Sequence, residues 1–321
     1  MKICTVVVTY NRYNLLKECL DALLNQTYKT DILLVDNAST DGTDNKIKED
    51  GYLEHGNLIY RRLESNLGGA GGFHFGVKYA LENRYDFVWL MDDDAEPELD
   101  CLELLMNHTD KAGYSAFAPS LYVGDKTNSV LNITGGHRGV FDYTKPLPSF
   151  QKPIDKTEYE KELCEIDMAS FVGILIPISS VEKIGLPRDD FFIHHDDVEY
   201  SLRLSKIGKI FMVTKSKIYH KEKRQEEKYL KRFWIFEKNR IKFEVLWLKY
   251  FGMRNSIYLA LKYGQDKLII PKVLWSYLVL VKDILIYDDN KIKRILFATN
   301  SIFDGLRGHF DNTKAKKILG K

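Results

Sequence analysis

The chain has little sulfur chemistry available to it. Its four cysteines, Cys4, Cys19, Cys101 and Cys164, form no Cys-x-x-Cys pair, which speaks against a zinc ribbon or a redox dithiol. Cys4 and Cys19 sit among apolar residues and read as buried thiols. No long uninterrupted apolar run exists either. The most apolar stretch, residues 268–287, is broken by Lys272, Lys282 and Asp283 and has Pro271 near its start, so it suits a core or interfacial helix better than a membrane span. No charged segment followed by an apolar one opens the sequence, and a reducing, cytoplasmic location is expected. Internal repeats and low-complexity tracts are absent, as is the Gly-Lys-Ser/Thr of a phosphate-binding P-loop.

What the chain does have is a large, ordinary globular composition. Its 321 residues are 45% hydrophobic and 29% charged, with 19 Tyr and 17 Phe. That is enough for one large core or a core with an appendage. The formal net charge of +2 hides an asymmetry, because residues 206–321 hold about 27 Lys+Arg against about 11 Asp+Glu. A basic, aromatic-rich tail suits an anionic membrane surface, and it also fits nucleic acid or a merely solvated helical face.

Strand-like and helix-like patterns alternate through the first 120 residues. Apolar runs at 3–9, 32–35, 58–60, 87–91 and 116–121 are separated by helical spacings at 15–24 and 75–81, with a glycine-rich loop at 68–72. Pro97 is positioned to open a further helix. Such alternation predicts an α/β fold with a mostly parallel, Rossmann-like sheet. Periodicity fades over 122–165, which reads as an insertion or an acceptor-side excursion. A strand-like run at 171–176 and a helix starting near Asp196 restore it. The expected division is therefore 1–224 as the catalytic domain and 225–321 as a basic, amphipathic helical appendage.

Ligands of open α/β sheets bind beyond the carboxyl ends of strands. Three polar clusters fall at such ends: Thr9-Tyr10-Asn11, Asp36-Asn37 and Asp92-Asp93-Asp94. Carboxylates crowded at a strand end repel one another and call for a cation, and hard oxygen ligands suit Mg²⁺ or Mn²⁺. An acidic turn capping the next helix explains the triplet alone equally well. The glycines of Asn66-Leu-Gly-Gly-Ala-Gly-Gly72 would let backbone N–H groups approach an anion, although a merely flexible loop also fits. In His194-His-Asp-Asp-Val-Glu199, a carboxylate could serve as general base or simply complement a helix dipole. His220, after a strand-like run, is a candidate metal ligand that the residues alone leave open.

Val7-Val-Thr-Tyr-Asn-Arg12, Val35-Asp-Asn-Ala-Ser-Thr-Asp-Gly-Thr43 and Met91-Asp-Asp-Asp-Ala-Glu-Pro97 together resemble the inverting family 2 glycosyltransferases of the GT-A fold. The likeness spans about the first 220 residues. Within that family, Asn66-Leu-Gly-Gly-Ala-Gly-Gly-Phe73 and Phe192-Ile-His-His-Asp-Asp-Val-Glu-Tyr200 are most similar to bacterial galactofuranosyltransferases of polysaccharide assembly. The tail phrases Tyr250-Phe-Gly-Met-Arg-Asn255 and Asp304-Gly-Leu-Arg-Gly308 also occur in that group. The resemblance implies a metal-dependent enzyme that uses Mn²⁺ or Mg²⁺ to move galactofuranose from UDP-galactofuranose to a hydroxyl of a lipid-linked polysaccharide intermediate, as in capsule or cell-envelope synthesis.

It also implies roles. Thr9, Tyr10, Asn11 and Asp36 would hold the uridine, with Asp36 addressing the base, and Arg12 and Asn37 would stand beside them on the donor. Asn66, Gly68 and Gly69 would line the diphosphate and sugar. Asp92, Asp94 and His220 would bind the metal, and Asp93 would face the sugar or ribose. Asp197 would be the catalytic base, with Asp196 its nearest rival. His194, His195 and Phe171 fall on the acceptor side. The two histidines stand where related enzymes tend to carry a tryptophan. Large extra domains of polymerising mycobacterial members are missing, which favours single-residue addition.

A rhamnosyltransferase using dTDP-rhamnose shares the family motifs, and a non-catalytic nucleotide-sugar-binding assembly protein is the alternative from another class. A nucleotidyltransferase is excluded, because Val8-Thr-Tyr-Asn-Arg12 is no Gly-rich basic loop. The tail is expected to lie peripherally on the inner face of the cell membrane, with Trp234, Trp247 and Trp275 at the interface, rather than on nucleic acid. A homodimer surface is the competing use of those helices.

Overall fold

The computed structural model describes residues 1–145, 151–221 and 228–320. They fall into two compact units, one of Met1–Phe141, Gln151–Asp189 and Asp196–Glu222, the other of Asp142–Phe150, Asp190–His195 and Lys223–Lys321. The expected boundary at 224/225 lies outside the described residues.

The first unit is built on strands β1 (Ile3–Thr9), β2 (Asp31–Asp36), β3 (Leu58–Arg62) and β4 (Phe87–Asp92). β1 is buried along its whole length and pairs in parallel with β2 and β4. Its β-branched run suits a strand covered on both faces. Alternate residues serve opposite faces, Ile3 and Val7 in one core cluster and Cys4, Val6 and Val8 in the other, as the two-residue period of a strand requires. Between the parallel strands lie α1 (Tyr13–Leu24), α2 (Thr43–Glu49) and α3 (Gly68–Glu82). α1 buries Tyr13, Leu16, Cys19, Leu20 and Leu23, one stripe at helical spacing.

The chain continues through β5 (Ala95–Pro97), α4 (Cys101–Met106), β6 (Tyr114–Asp125), β7 (Asn128–Leu131), β8 (Arg138–Phe141), β9 (Gln151–Lys152), β10 (Leu163–Ile166), β11 (Met168–Ala169) and β12 (Leu175–Pro177). Helices α5 (Ile178–Ile184) and α6 (Asp196–Leu204) and strand β13 (Lys209–His220) complete the unit. The main sheet runs β10-β13-β6-β12-β4-β1-β2-β3, with β5 on β13 and β7 on β6. The β4-β1-β2-β3 half is parallel, and β6 and β13 are parallel to one another. Residues 122–165 supply the end of β6, its return strand β7, the small sheet strands β8 and β9, and β10. All four cysteines are buried and free.

Three expectations are corrected. The glycines at 68–72 are the first turns of α3 and not a loop. Gly72 is required because the helix lies hard on β1: a Cβ there would come within 2.5 Å of Val8 Cγ1, as one at Gly76, a turn further on, would come within 2.2 Å of Val6 Cγ1. Pro97 ends β5, paired with Ile218, and the next helix waits until Cys101. In the 171–176 run only Leu175 and Ile176 are strand, because Gly173, at φ +85°, turns its N–H to Leu90 O.

Gly76→Ala gives a clean test of the helix packing. Alanine gains about 1 kcal/mol of helix propensity over glycine, but overpacking costs about 1–3 kcal/mol, and Val6 is fully buried and stiff at χ1. A net loss of up to about 2 kcal/mol in urea denaturation is expected. A stabilised variant would show that α3 can shift.

The C-terminal part of the second unit starts, among described residues, with a hairpin of β14 (Lys228–Phe233) and β15 (Phe236–Ile241), where a helix was expected. Helices α7 (Trp247–Tyr263), α8 (Ile269–Tyr287), α9 (Lys291–Arg307) and α10 (Lys314–Leu319) follow. Tyr250, Phe251, Phe297, Ala315 and Leu319 form their core, with Phe192 and Ile193 packed against it. The tail phrases serve this packing. Tyr250 donates its hydroxyl to Asp304, and a Cβ at Gly305 would lie 2.7 Å from Arg254 O. α8 keeps an apolar face outward, with Leu274, Trp275 and Leu278 more than half exposed. Trp234 is also exposed, whereas Trp247 packs against Phe192 and Phe251. No helix among the described residues is long and apolar enough to cross a membrane.

Candidate active site

Register places the polar clusters together. Thr9 pairs with Asp36 across β1 and β2, and Val8 pairs with Asp92 across β1 and β4, so three strands deliver their terminal side chains to one sheet edge. The fourth contribution comes from far along the chain. β5 runs antiparallel to β13, with His220 opposite Ala95 and Lys221 N–H bonded to Asp94 O at 2.9 Å. That ladder sets His220 Nε2 2.9 Å from Asp94 Oδ1 and 3.9 Å from Asp92 Oδ2.

Asp92, Asp94 and His220 each offer one ligand atom, all within 4.8 Å of one another. Asp94 Oδ1 is buried without a hydrogen bond of good geometry despite its closeness to the imidazole. Two carboxylate oxygens and an imidazole nitrogen in this arrangement fit a divalent cation such as Mn²⁺ or Mg²⁺.

Arg12 supplies the positive charge that the protein itself holds. Its Nη1 lies 2.7 Å from Asp94 Oδ2 and 3.1 Å from Asp93 Oδ1. Thr9 donates its hydroxyl to Asp93 Oδ2 at 2.7 Å. Burial and the neighbouring Asp94 charge push Asp92 up to about 7. Burial also pushes Asp93 up to about 6, against the pull of Arg12. For Asp94, burial raises the value, but His220 and Arg12 together outweigh it and hold it down at about 2. A carboxylate so biased toward its charged form is a ready ligand.

The remaining donor-side residues are tied into their own loops. Asp36 is fully buried, with Oδ1 accepting from Ser39 N–H at 2.8 Å and Oδ2 from the Tyr60 hydroxyl at 2.7 Å. Asn11, at φ +56°, is clasped to Thr40 through Oδ1 and Nδ2. Asn37 Nδ2 donates to Gly68 O at 2.9 Å, and Asn66 Oδ1 accepts from Gly68 N–H at 2.8 Å. These bonds anchor the start of α3 beside the end of β2. Tyr10 is exposed, and a Cβ at Gly69 would meet nothing within 4 Å, so both face open space.

Asp196 and Asp197 start α6. Burial, then the Asp197 charge, drives Asp196 well above the usual carboxylate range, and the charge of Asp92 acts on it in the same direction. Asp197 is pushed up to about 6 by burial, partly opposed by the Val198 N–H that its Oδ1 accepts at 2.7 Å and by the charge of Arg138. His194 and His195 lie in the second unit just before these aspartates, both at positive φ. Phe171, expected on the acceptor side, belongs to the core: it is 4% exposed and its ring lies 4.8 Å from Phe73.

Two neighbours went unnoticed in the sequence. The His137 ring meets that of His220 edge-on at 5.1 Å, and burial lowers its pKa to about 3. Arg138 is fully buried and donates to Pro119 O, His137 O and Val172 O. They come from the stretch with no periodicity, where no pattern marked them.

Comparison with known proteins bears on the family and the fold. Galactofuranosyltransferase GlfT1 of Mycolicibacterium smegmatis is 29% identical over 215 residues, covering 64% of this chain and 66% of that protein. Its namesake from Mycobacterium tuberculosis is 33% identical over 209 residues, covering 63% and 64%. The alignment thus spans just under two thirds of each relative. Abequosyltransferase RfbV of Salmonella typhimurium is 29% identical over 167 residues, covering 50% of this chain and 47% of its own.

Among solved structures, GalNAc-T7 with UDP, GalNAc and Mn²⁺ superposes with a TM-score of 0.63 at 14% identity, covering 98% of this chain and 57% of the other. S. aureus TarS 1–349 with UDP-GlcNAc does so at 0.52 and 14%, covering 98% and 92%. These likenesses fix the fold as that of GT-A glycosyltransferases. The glycosyl transferase family 2 domain matches residues 4–184, more than half of the sequence, and the chain belongs to that family.

Proposed function

We propose that this chain is an inverting, metal-dependent galactofuranosyltransferase that moves galactofuranose from UDP-galactofuranose to a hydroxyl of a lipid-linked polysaccharide intermediate. The observation that carries the reading is the convergence of Asp92, Asp94 and His220 at the carboxyl edge of the sheet. The choice of sugar is supported by the galactofuranosyltransferase relatives.

A divalent cation held by Asp92, Asp94 and His220 would neutralise the charge of the departing diphosphate. Arg12 keeps Asp93 and Asp94 charged and in place until the donor arrives. Thr9, Tyr10, Asn11 and Asp36 bound the nucleoside end, with Asn37, Asn66, Gly68 and Gly69 beside the diphosphate and sugar. Binding energy from the nucleotide positions the reacting carbon. Asp197, with Asp196 beside it, takes the acceptor hydroxyl's proton on a carboxylate oxygen as that hydroxyl attacks from the face opposite the leaving group. His194 and His195 contribute to acceptor recognition.

Incubation of the purified protein and Mn²⁺ with UDP-galactofuranose, dTDP-rhamnose and other nucleotide sugars tests the donor. UDP release from UDP-galactofuranose alone supports the reading, and turnover of dTDP-rhamnose in its place overturns it.

The second unit is read as a peripheral contact with anionic lipid on the cytoplasmic side. It combines an excess of lysine and arginine with exposed apolar residues on α8 and an exposed Trp234, the composition that favours interfacial binding. Flotation with liposomes containing anionic lipid is expected to weaken as salt rises and on Trp275→Ser substitution. Binding indifferent to both would contradict it.

A further inference from the structure

The segment Asp190–His195, which leads into α6, takes a strained path. Phe192, His194 and His195 have φ of 64°, 68° and 65°, left-handed backbone that side chains of this bulk rarely adopt. Such conformations persist only where the surroundings over-determine them. The determining groups are on α7. Asn255, fully buried, donates through Nδ2 to Phe191 O at 3.1 Å, Ile193 O at 3.2 Å and His194 O at 2.8 Å. Arg254, also fully buried, donates through Nη2 to Asp190 O and Phe191 O, both at 3.1 Å. Its Nε donates to Asn255 Oδ1 at 2.9 Å and its Nη1 to Asn312 Oδ1 at 3.1 Å. The guanidinium lies over the rings of Phe310 and Phe251, at 4.7 and 5.2 Å.

Two adjacent buried polar side chains thus hold the carbonyls of Asp190, Phe191, Ile193 and His194. Satisfying buried carbonyls is a general need. It does not by itself explain why the clasped stretch is the strained one and ends directly at Asp196 and Asp197, the first residues of α6. The chain is continuous from His194 to Asp197, so any freedom gained by the segment is passed to the carboxylates that follow.

We propose that Arg254 and Asn255 are positioning residues for the base Asp197, fixing the strained Asp190–His195 segment so that α6 begins with its carboxylates in place. This rests on the reading of Asp197 as base. It also gives the last two residues of the tail phrase Tyr250-Phe-Gly-Met-Arg-Asn255 a task in the reaction although neither is assigned to substrate.

Asn255→Ala should lower kcat about tenfold or more, as small misplacements of a reacting group do, with donor KM held within about threefold. Backbone amide exchange across 190–197 should quicken. Asn255→Ser, which keeps one donor, should show the same split at smaller size and serves if the alanine variant folds poorly. Tyr250→Phe, which loses only the bond to Asp304 on α9, is the control. It should lower the melting temperature while leaving kcat and exchange at 190–197 unchanged. Loss of kcat in both variants in proportion to their melting temperatures would overturn the proposal, as would unchanged kcat in Asn255→Ala despite faster exchange. A wild-type protein inactive on every donor would instead sink the reading of Asp197, and exchange would still decide whether α7 holds the segment.

Discussion

Asp197→Asn is expected to lower the transfer rate by about 10²–10⁴-fold, the usual contribution of a general base, while donor binding survives. The amide keeps the shape and can still accept the Val198 N–H, but it cannot take a proton. Asp196 is the rival, and burial, then the Asp197 charge, raises it well above the usual carboxylate range, which biases it toward the neutral form and away from accepting a proton. Asp197, at about 6, is mostly ionised there yet more basic than an exposed aspartate. The sign of the pH dependence follows. Transfer is expected to be half-maximal near pH 6, to level off about a unit above it and to fall about tenfold per unit below it. A rate profile of kcat with no acid limb near 6, or an Asp197→Asn variant of undiminished rate, would move the base elsewhere.

The second large effect belongs to Asp94. It alone touches both the protein's own cation, Arg12 at 2.7 Å, and the imidazole of His220 at 2.9 Å. Asp94→Asn removes the carboxylate most firmly held in its charged form. Transfer should fall by about 10²–10³-fold, the scale for deleting one group that stabilises developing charge. Mn²⁺ binding measured calorimetrically in the presence of UDP should weaken with it, and chelation of the wild type by EDTA should mimic the variant. Equal Mn²⁺ affinity in the two proteins would place the cation away from Asp94.

Much of this site was legible in the sequence because parallel strands put their carboxyl ends on one edge. Thr9, Asp36 and the aspartate triplet each close an apolar run, and register then unites them. His220 was harder, since it meets Asp94 only through the antiparallel pairing of β5 with β13, which local periodicity does not encode. The cation that the triplet called for is partly Arg12, whose role depended on the rotamer rather than on spacing. Glycines at 68–72 read as a loop because flexibility and close packing leave the same mark in a sequence; Val8 beneath Gly72 tells the two apart. The hairpin at 228–241 carries no two-residue period in its sequence, because none of the residues of β15 is buried and no face is forced to be apolar. His137 and Arg138 had no pattern around them.

One NMR time course with UDP-galactofuranose, Mn²⁺ and a lipid-linked acceptor tests the account most directly, because it follows UDP release and the anomeric configuration of the transferred residue together. Stoichiometric UDP release and a product of opposite configuration to the donor are expected, both lost in Asp197→Asn. A product that retains the donor's configuration would contradict it.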